Sequence, residues 1–222
     1  MRVVAGVVLA VGLAHALAFR PELAGTNAFW WWLLLPYAGL AALAVRHFWK
    51  QGTLAERLTP RWGDLSIGVV TALVLLLASW LARGVLAPNG TPRRAWLYRV
   101  YLQLGDPEIL QQSALLTAAL LAIAAAEELV FRGLVLDLVT ARFGPRRGFI
   151  VATLLYAAAM LPTVYLLRDP VAGPNPLLVT AALGAGLVWS FLAGRSGRLA
   201  PVALSHMAFS YFSVVQFRWP GM

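Results

Sequence analysis

A chain of 222 residues that is 60% hydrophobic and only 12% charged has too little polar surface for a water-soluble domain of its size. Its formal charge of +9 does not mark a nucleic-acid binder, because the basic residues are scattered through short inter-helix segments and form no dense stripe. Loop arginines orient helices in a bilayer and meet anionic headgroups, so membrane lipids are the expected surroundings and nucleic acid is not an expected partner. With no cysteine, disulfides, thiolate nucleophiles and thiolate metal sites are excluded together.

Long apolar runs separated by Arg, Pro and Gly clusters predict an all-α, polytopic transmembrane bundle of about seven spans, with residues 1–222 forming a single membrane domain. The first span covers Val3 to Phe19. Met1 to Ala18 also fits a cleaved signal peptide, through Arg2, the apolar run and Ala16-Leu17-Ala18. The second span runs from Ala28 to Phe48, with Trp30, Trp31 and Trp32 where an interfacial aromatic belt belongs. Asp64 is expected to cap the third, Leu65 to Leu86. The polar stretch Pro88 to Asp106, with Trp96, Tyr98, Arg99 and Tyr101, suits a segment lying at the membrane surface.

Asp106-Pro107-Glu108 reads as a helix start and predicts a fourth helix from Pro107 to Phe143. At 1.5 Å per residue it would run roughly 55 Å, beyond a bilayer core of about 30 Å, so it must tilt, bend or protrude. Gly144-Pro145 ends it. The fifth span, Phe149 to Leu167, is expected to kink near Pro162; Asn175-Pro176 starts the sixth, and Pro201 lies in the first turn of the seventh. With the N-terminus inside, the inner side collects ten basic residues (Arg2, Arg46, Lys50, Arg57, Arg61, Arg142, Arg146, Arg147, Arg195 and Arg198) against seven outside (Arg20, Arg83, Arg93, Arg94, Arg99, Arg168 and Arg218). The expected location is therefore a bacterial inner (cytoplasmic) membrane, N-terminus inside.

Ionisable chemistry is concentrated in Ala124-Ala125-Ala126-Glu127-Glu128-Leu129-Val130-Phe131-Arg132-Gly133, flanked by apolar sequence on both sides. Each charge at the centre of a span costs about 2.5–3.5 kcal/mol on insertion scales, so the cluster demands partners. At about 100° per residue, Arg132 lies roughly 40° around the helix from Glu128 and roughly 140° from Glu127. Glu128 is thus expected to pair with Arg132, leaving Glu127 facing elsewhere and available for proton transfer.

The Glu-Glu-Leu-Val-Phe-Arg-Gly stretch resembles the first motif, EExxxR, of the CAAX prenyl protease and bacteriocin-processing (CPBP) family of glutamic intramembrane endopeptidases. The resemblance is expected over residues 107–217. A later motif of that family aligns with His206-Met207-Ala208-Phe209-Ser210, following Pro201-Val202-Ala203-Leu204-Ser205. The resemblance implies that Glu127 activates water, that Glu128 and Arg132 support it, and that His206 with Ser210 stabilises the oxyanion of the attacked peptide. It implies a membrane-anchored protein or peptide as substrate, and no cofactor or metal. Where the family's second motif, FxxxH, belongs, this chain reads Tyr156-Ala157-Ala158-Ala159-Met160, so methionine replaces an imidazole. The remaining histidines, His15 and His47, lie on the first two helices, and spacing brings neither to the site. Three readings follow: an endopeptidase using Glu127, a silent relative that binds a membrane segment, lipid or partner protein, and a transporter or proton-relay protein.

Overall fold

The computed structural model describes residues 1–216 and is a bundle of helices, with no strand among the described residues. The helices are α1 (Arg2–Ala18), α2 (Asn27–Gln51), α3 (Leu54–Leu58), α4 (Asp64–Leu86), α5 (Arg94–Leu104), α6 (Pro107–Gln112), α7 (Ala114–Glu127), α8 (Leu136–Phe143), α9 (Pro145–Ala159), α10 (Leu161–Leu166), α11 (Leu177–Ser196) and α12 (Ala200–Tyr211). Five helical stretches are long and apolar enough to cross a membrane: α2, α4, residues 114–143, residues 145–166, and α11. Two shorter apolar helices, Arg2–Ala18 and Ala200–Val215, occupy the places of the first and seventh expected spans. Phe217 and Arg218, counted in the sequence reading, lie outside the described residues.

Each helix buries the stripe its sequence offers. In α1, Val4, Val7, Val11, Ala14, His15 and Ala18 recur at three- and four-residue intervals and face the bundle. On α4 the buried face is only Asp64, Gly68, Ala72 and Leu75, while Leu73, Leu77, Trp80 and Leu81 are exposed, as a lipid-facing surface requires. Gly68 permits the close approach of α4 to α12: a Cβ there would stand 3.0 Å from both the Pro201 carbonyl oxygen and Leu204 Cβ.

Three expectations need correction. The long fourth helix breaks at Ser113, whose extended backbone and side chain, accepting from the Leu116 N–H, make it the N-cap of α7. Asp64 is not the cap of α4; Gly63 holds that position with φ +91, and the Asp64 carboxylate accepts from the Arg61 N–H and pairs with Arg198. The fifth span begins at Pro145, earlier than the expected Phe149, while the kink expected near Pro162 is present as a break at Met160 that puts Pro162 in the first turn of α10. Asp106 does cap α6, accepting from the Glu108 N–H at 2.7 Å.

Polar ties gather at the two ends of the bundle. At one end, Gln103 of α5 donates to the Ala18 carbonyl at 2.9 Å, and Asn175 donates to the Trp96 carbonyl at 2.9 Å, pinning α5 to α1 and to the loop before α11. At the other end, Asp137 accepts from Arg57 at 2.6 Å and pairs with His47 at 3.0 Å. Between these belts lies the apolar core, and the EExxxR residues sit within it.

Candidate active site

The site begins where the helix changes pitch. From Glu128 to Val135 the chain follows wide π-type turns before returning to α geometry at Leu136. Such bulges rotate the side chains that follow and recur at functional sites. Glu127, the last residue of α7, is 7% exposed and faces a cavity, whereas Glu128 and Arg132, at 0% and 1%, are sealed behind it.

Glu128 is the hub. Its Oε1 accepts from Arg132 Nη1 at 3.2 Å, the expected pair, and from His206 Nδ1 at 2.6 Å. The second contact binds α12 to the π turn and points His206 Nε2 at Glu127 Oε2, 3.7 Å away. Glu127 Oε2 also accepts from the Tyr156 hydroxyl at 2.8 Å. Glu128 is therefore held by Arg132 and one nitrogen of His206, while Glu127 accepts from the Tyr156 phenol and faces the other nitrogen of the same imidazole.

Aromatic rings hold the cations in place. The Arg132 guanidinium lies 4.2 Å over the Tyr156 ring and 5.3 Å from the centre of the Trp189 ring. Trp189 stacks on His206 with centroids 4.0 Å apart and donates its indole N–H to Ser205 Oγ at 3.1 Å. Gly186 leaves room for this arrangement, since a Cβ there would stand 3.0 Å from Arg132 Nη2 and 3.1 Å from Tyr156 Cδ1. Among the described residues, no three His, Cys, Asp or Glu side chains are grouped to hold a metal ion.

The cavity has a volume of about 210 Å³. Of the residues singled out from sequence, Glu127, Tyr156, Met160, His206 and Ser210 line it, with Glu128 and Arg132 behind. Its apolar wall includes Phe19, Phe29, Trp30 and Leu104, from the end of the bundle that carries α5. His47 lies apart from these residues, paired with Asp137 at the opposite end. Trp189 and His15 also line the cavity, and the sequence assigned neither a place in it. Trp189 carries no motif signal, and His15 carried only the general signal of an ionisable residue in an apolar helix.

These features define an all-α membrane protein with a buried Glu-Glu-Arg-His constellation opening on an apolar cavity. Residues 109–212 match the model of the Type II CAAX prenyl endopeptidase Rce1-like family. Comparisons with curated proteins and with solved structures give no match.

Proposed function

We propose that the chain is an intramembrane endopeptidase that hydrolyses a membrane-anchored protein or peptide with a water activated by Glu127. The observation that carries this reading is the 3.7 Å approach of His206 Nε2 to Glu127 Oε2 at a shared cavity, with His206 held from behind by Glu128. A water between Glu127 and a bound carbonyl gives one proton to the carboxylate as its oxygen bonds the carbonyl carbon. His206, donating Nδ1–H to Glu128, presents Nε2–H to the oxyanion, and the Ser210 hydroxyl, one turn along α12, is the second donor. With His206 protonated, Glu127, Glu128, Arg132 and His206 sum to zero charge, which makes their shared burial affordable. When the tetrahedral intermediate collapses, Glu127 returns its proton to the departing nitrogen.

With the N-terminus inside, the α5 end of the cavity faces outward, and substrate chains enter from that side. Met160, in the cavity where an acid–base side chain is missing, favours one other reading: a relative that binds a membrane segment without cutting it. Cleavage of membrane-anchored peptides by purified protein separates the two. Activity that falls about 10²–10⁴-fold in Glu127→Gln supports hydrolysis. Cleavage that appears only on Met160→His supports silent binding.

A further inference from the structure

We infer that His15 is a catalytic residue of this site, the imidazole that works with Glu127 on the attacking water where Met160 cannot. This rests on the hydrolytic reading above. His15 lies outside the stretch 109–212 that the family model matches, so nothing in that match assigns it a role.

Three observations place it. First, α1 crosses the junction between α9 and α10: a Cβ on Gly12 would stand 3.8 Å from the Ala159 carbonyl oxygen. His15, the next turn along the same helix, therefore enters the cavity beside Met160, and both line it with Glu127 and His206. Second, the tautomer is set. His15 Nδ1 is 2.9 Å from the Val11 carbonyl oxygen, which can only accept, so Nδ1 carries the proton and Nε2 carries the lone pair. Third, the ring is held in orientation, stacked on Phe19 at 5.7 Å and set edge-on to Tyr37 at 6.1 Å. A 3% exposed histidine that lines the cavity, with Nδ1 tied to its own helix, keeps Nε2 as its one free lone pair and can serve as a proton acceptor.

The proton accounting uses both bases. Glu127 takes one water proton while the oxygen bonds the scissile carbon. His15 Nε2 accepts a hydrogen bond from the other O–H and directs the oxygen lone pair at that carbon. After the C–N bond breaks and Glu127 has protonated the amine, the new carboxylic acid gives its proton to His15, which releases it to solvent. Water and amide become carboxylate, amine and one proton.

The test is a rescue. His15→Phe keeps an aromatic ring against Phe19 and Tyr37 while removing the base. It should lower kcat by about 100-fold or more with KM little changed. Adding Met160→His, which restores an imidazole at the neighbouring position, should recover at least about tenfold of that loss. A second readout needs no turnover: with only three histidines in the chain, ¹⁵N spectra of histidine-labelled protein resolve each ring. His15 Nε2 should be unprotonated and should shift in Glu127→Gln, while His47 stays unchanged. The inference is overturned if His15→Phe cleaves within about threefold of the native protein, a result that leaves the Glu127 reading intact. Failure of Met160→His to rescue, or a His15 Nε2 signal indifferent to Glu127→Gln, overturns it equally, as does active protein isolated without residues 1–18. If the native protein does not cleave at all, the hydrolytic reading itself falls and takes this role with it.

Discussion

Replacing Arg132 with leucine tests whether the site is held together by a sealed ion pair or by a solvated one. Glu128 is 0% exposed, and its Oε1 carries the contacts to Arg132 Nη1 at 3.2 Å and His206 Nδ1 at 2.6 Å. Removing one partner of a buried pair leaves an uncompensated charge and costs about 3–5 kcal/mol. The cation also lies over Tyr156 at 4.2 Å and near Trp189 at 5.3 Å, and such contacts are worth up to about 2 kcal/mol when desolvated. His206 remains to donate to Glu128 and offsets a comparable amount, so the net loss stays at about 3–5 kcal/mol. Glu128→Gln should cost less, because Arg132 keeps both aromatic faces. The double variant Glu128→Gln/Arg132→Leu should then be more stable than the sum of the two losses by about 1–3 kcal/mol. Denaturant titrations of the purified protein in one detergent measure all three. A loss below about 1 kcal/mol for Arg132→Leu, the range of an exposed pair, or strict additivity of the two changes, would refute the reasoning.

Gly186→Ala places a methyl group 3.0 Å from Arg132 Nη2 and should destabilise the protein by about 1–3 kcal/mol in the same titration. Tyr156→Phe removes the 2.8 Å hydrogen bond that orients Glu127 and should lower kcat by about tenfold while the helical circular-dichroism signal is unchanged. In the loop before α11, the backbone N–H groups of Ala172 and Val171, with Arg99, hold the Asp169 carboxyl below the ordinary aspartate range. A depressed folded-state value means the loop's stabilisation is complete above the unfolded value of about 3.9 and is lost only as pH falls through the folded one. The Trp96 indole donates to the Gly173 carbonyl at 3.3 Å, so its N–H resonance should hold steady from pH 7 to about 4 and move only below that; movement between pH 7 and 5 contradicts the assignment.

Helical spacing was enough to pair Glu128 with Arg132, because that contact is local to one helix. Composition was likewise enough for the bundle, since an apolar chain of this length has few other ways to satisfy its backbone in lipid. What could not be read was everything that depends on which helices touch. The contact between His206 and Glu128 joins residues 78 positions apart, and no local pattern encodes it. Ser113 looked like an ordinary polar residue within a long helix, but its cap to Leu116 breaks the run. His15 stayed unplaced because its position at the cavity depends on α1 lying against the α9–α10 junction, a matter of tertiary packing. Met160 was legible as a departure from the second motif, while the presence of His15 in the same cavity was not.

The most direct measurement is a single turnover of a membrane-anchored peptide in H₂¹⁸O by the purified protein, followed by mass analysis of the peptide products and of the segment containing Glu127. Water activated by Glu127 predicts one ¹⁸O in the new carboxylate, none in Glu127, and cleavage slowed by about 10²–10⁴-fold in Glu127→Gln. Label incorporated into Glu127, or cleavage by Glu127→Gln at the native rate, would contradict the account.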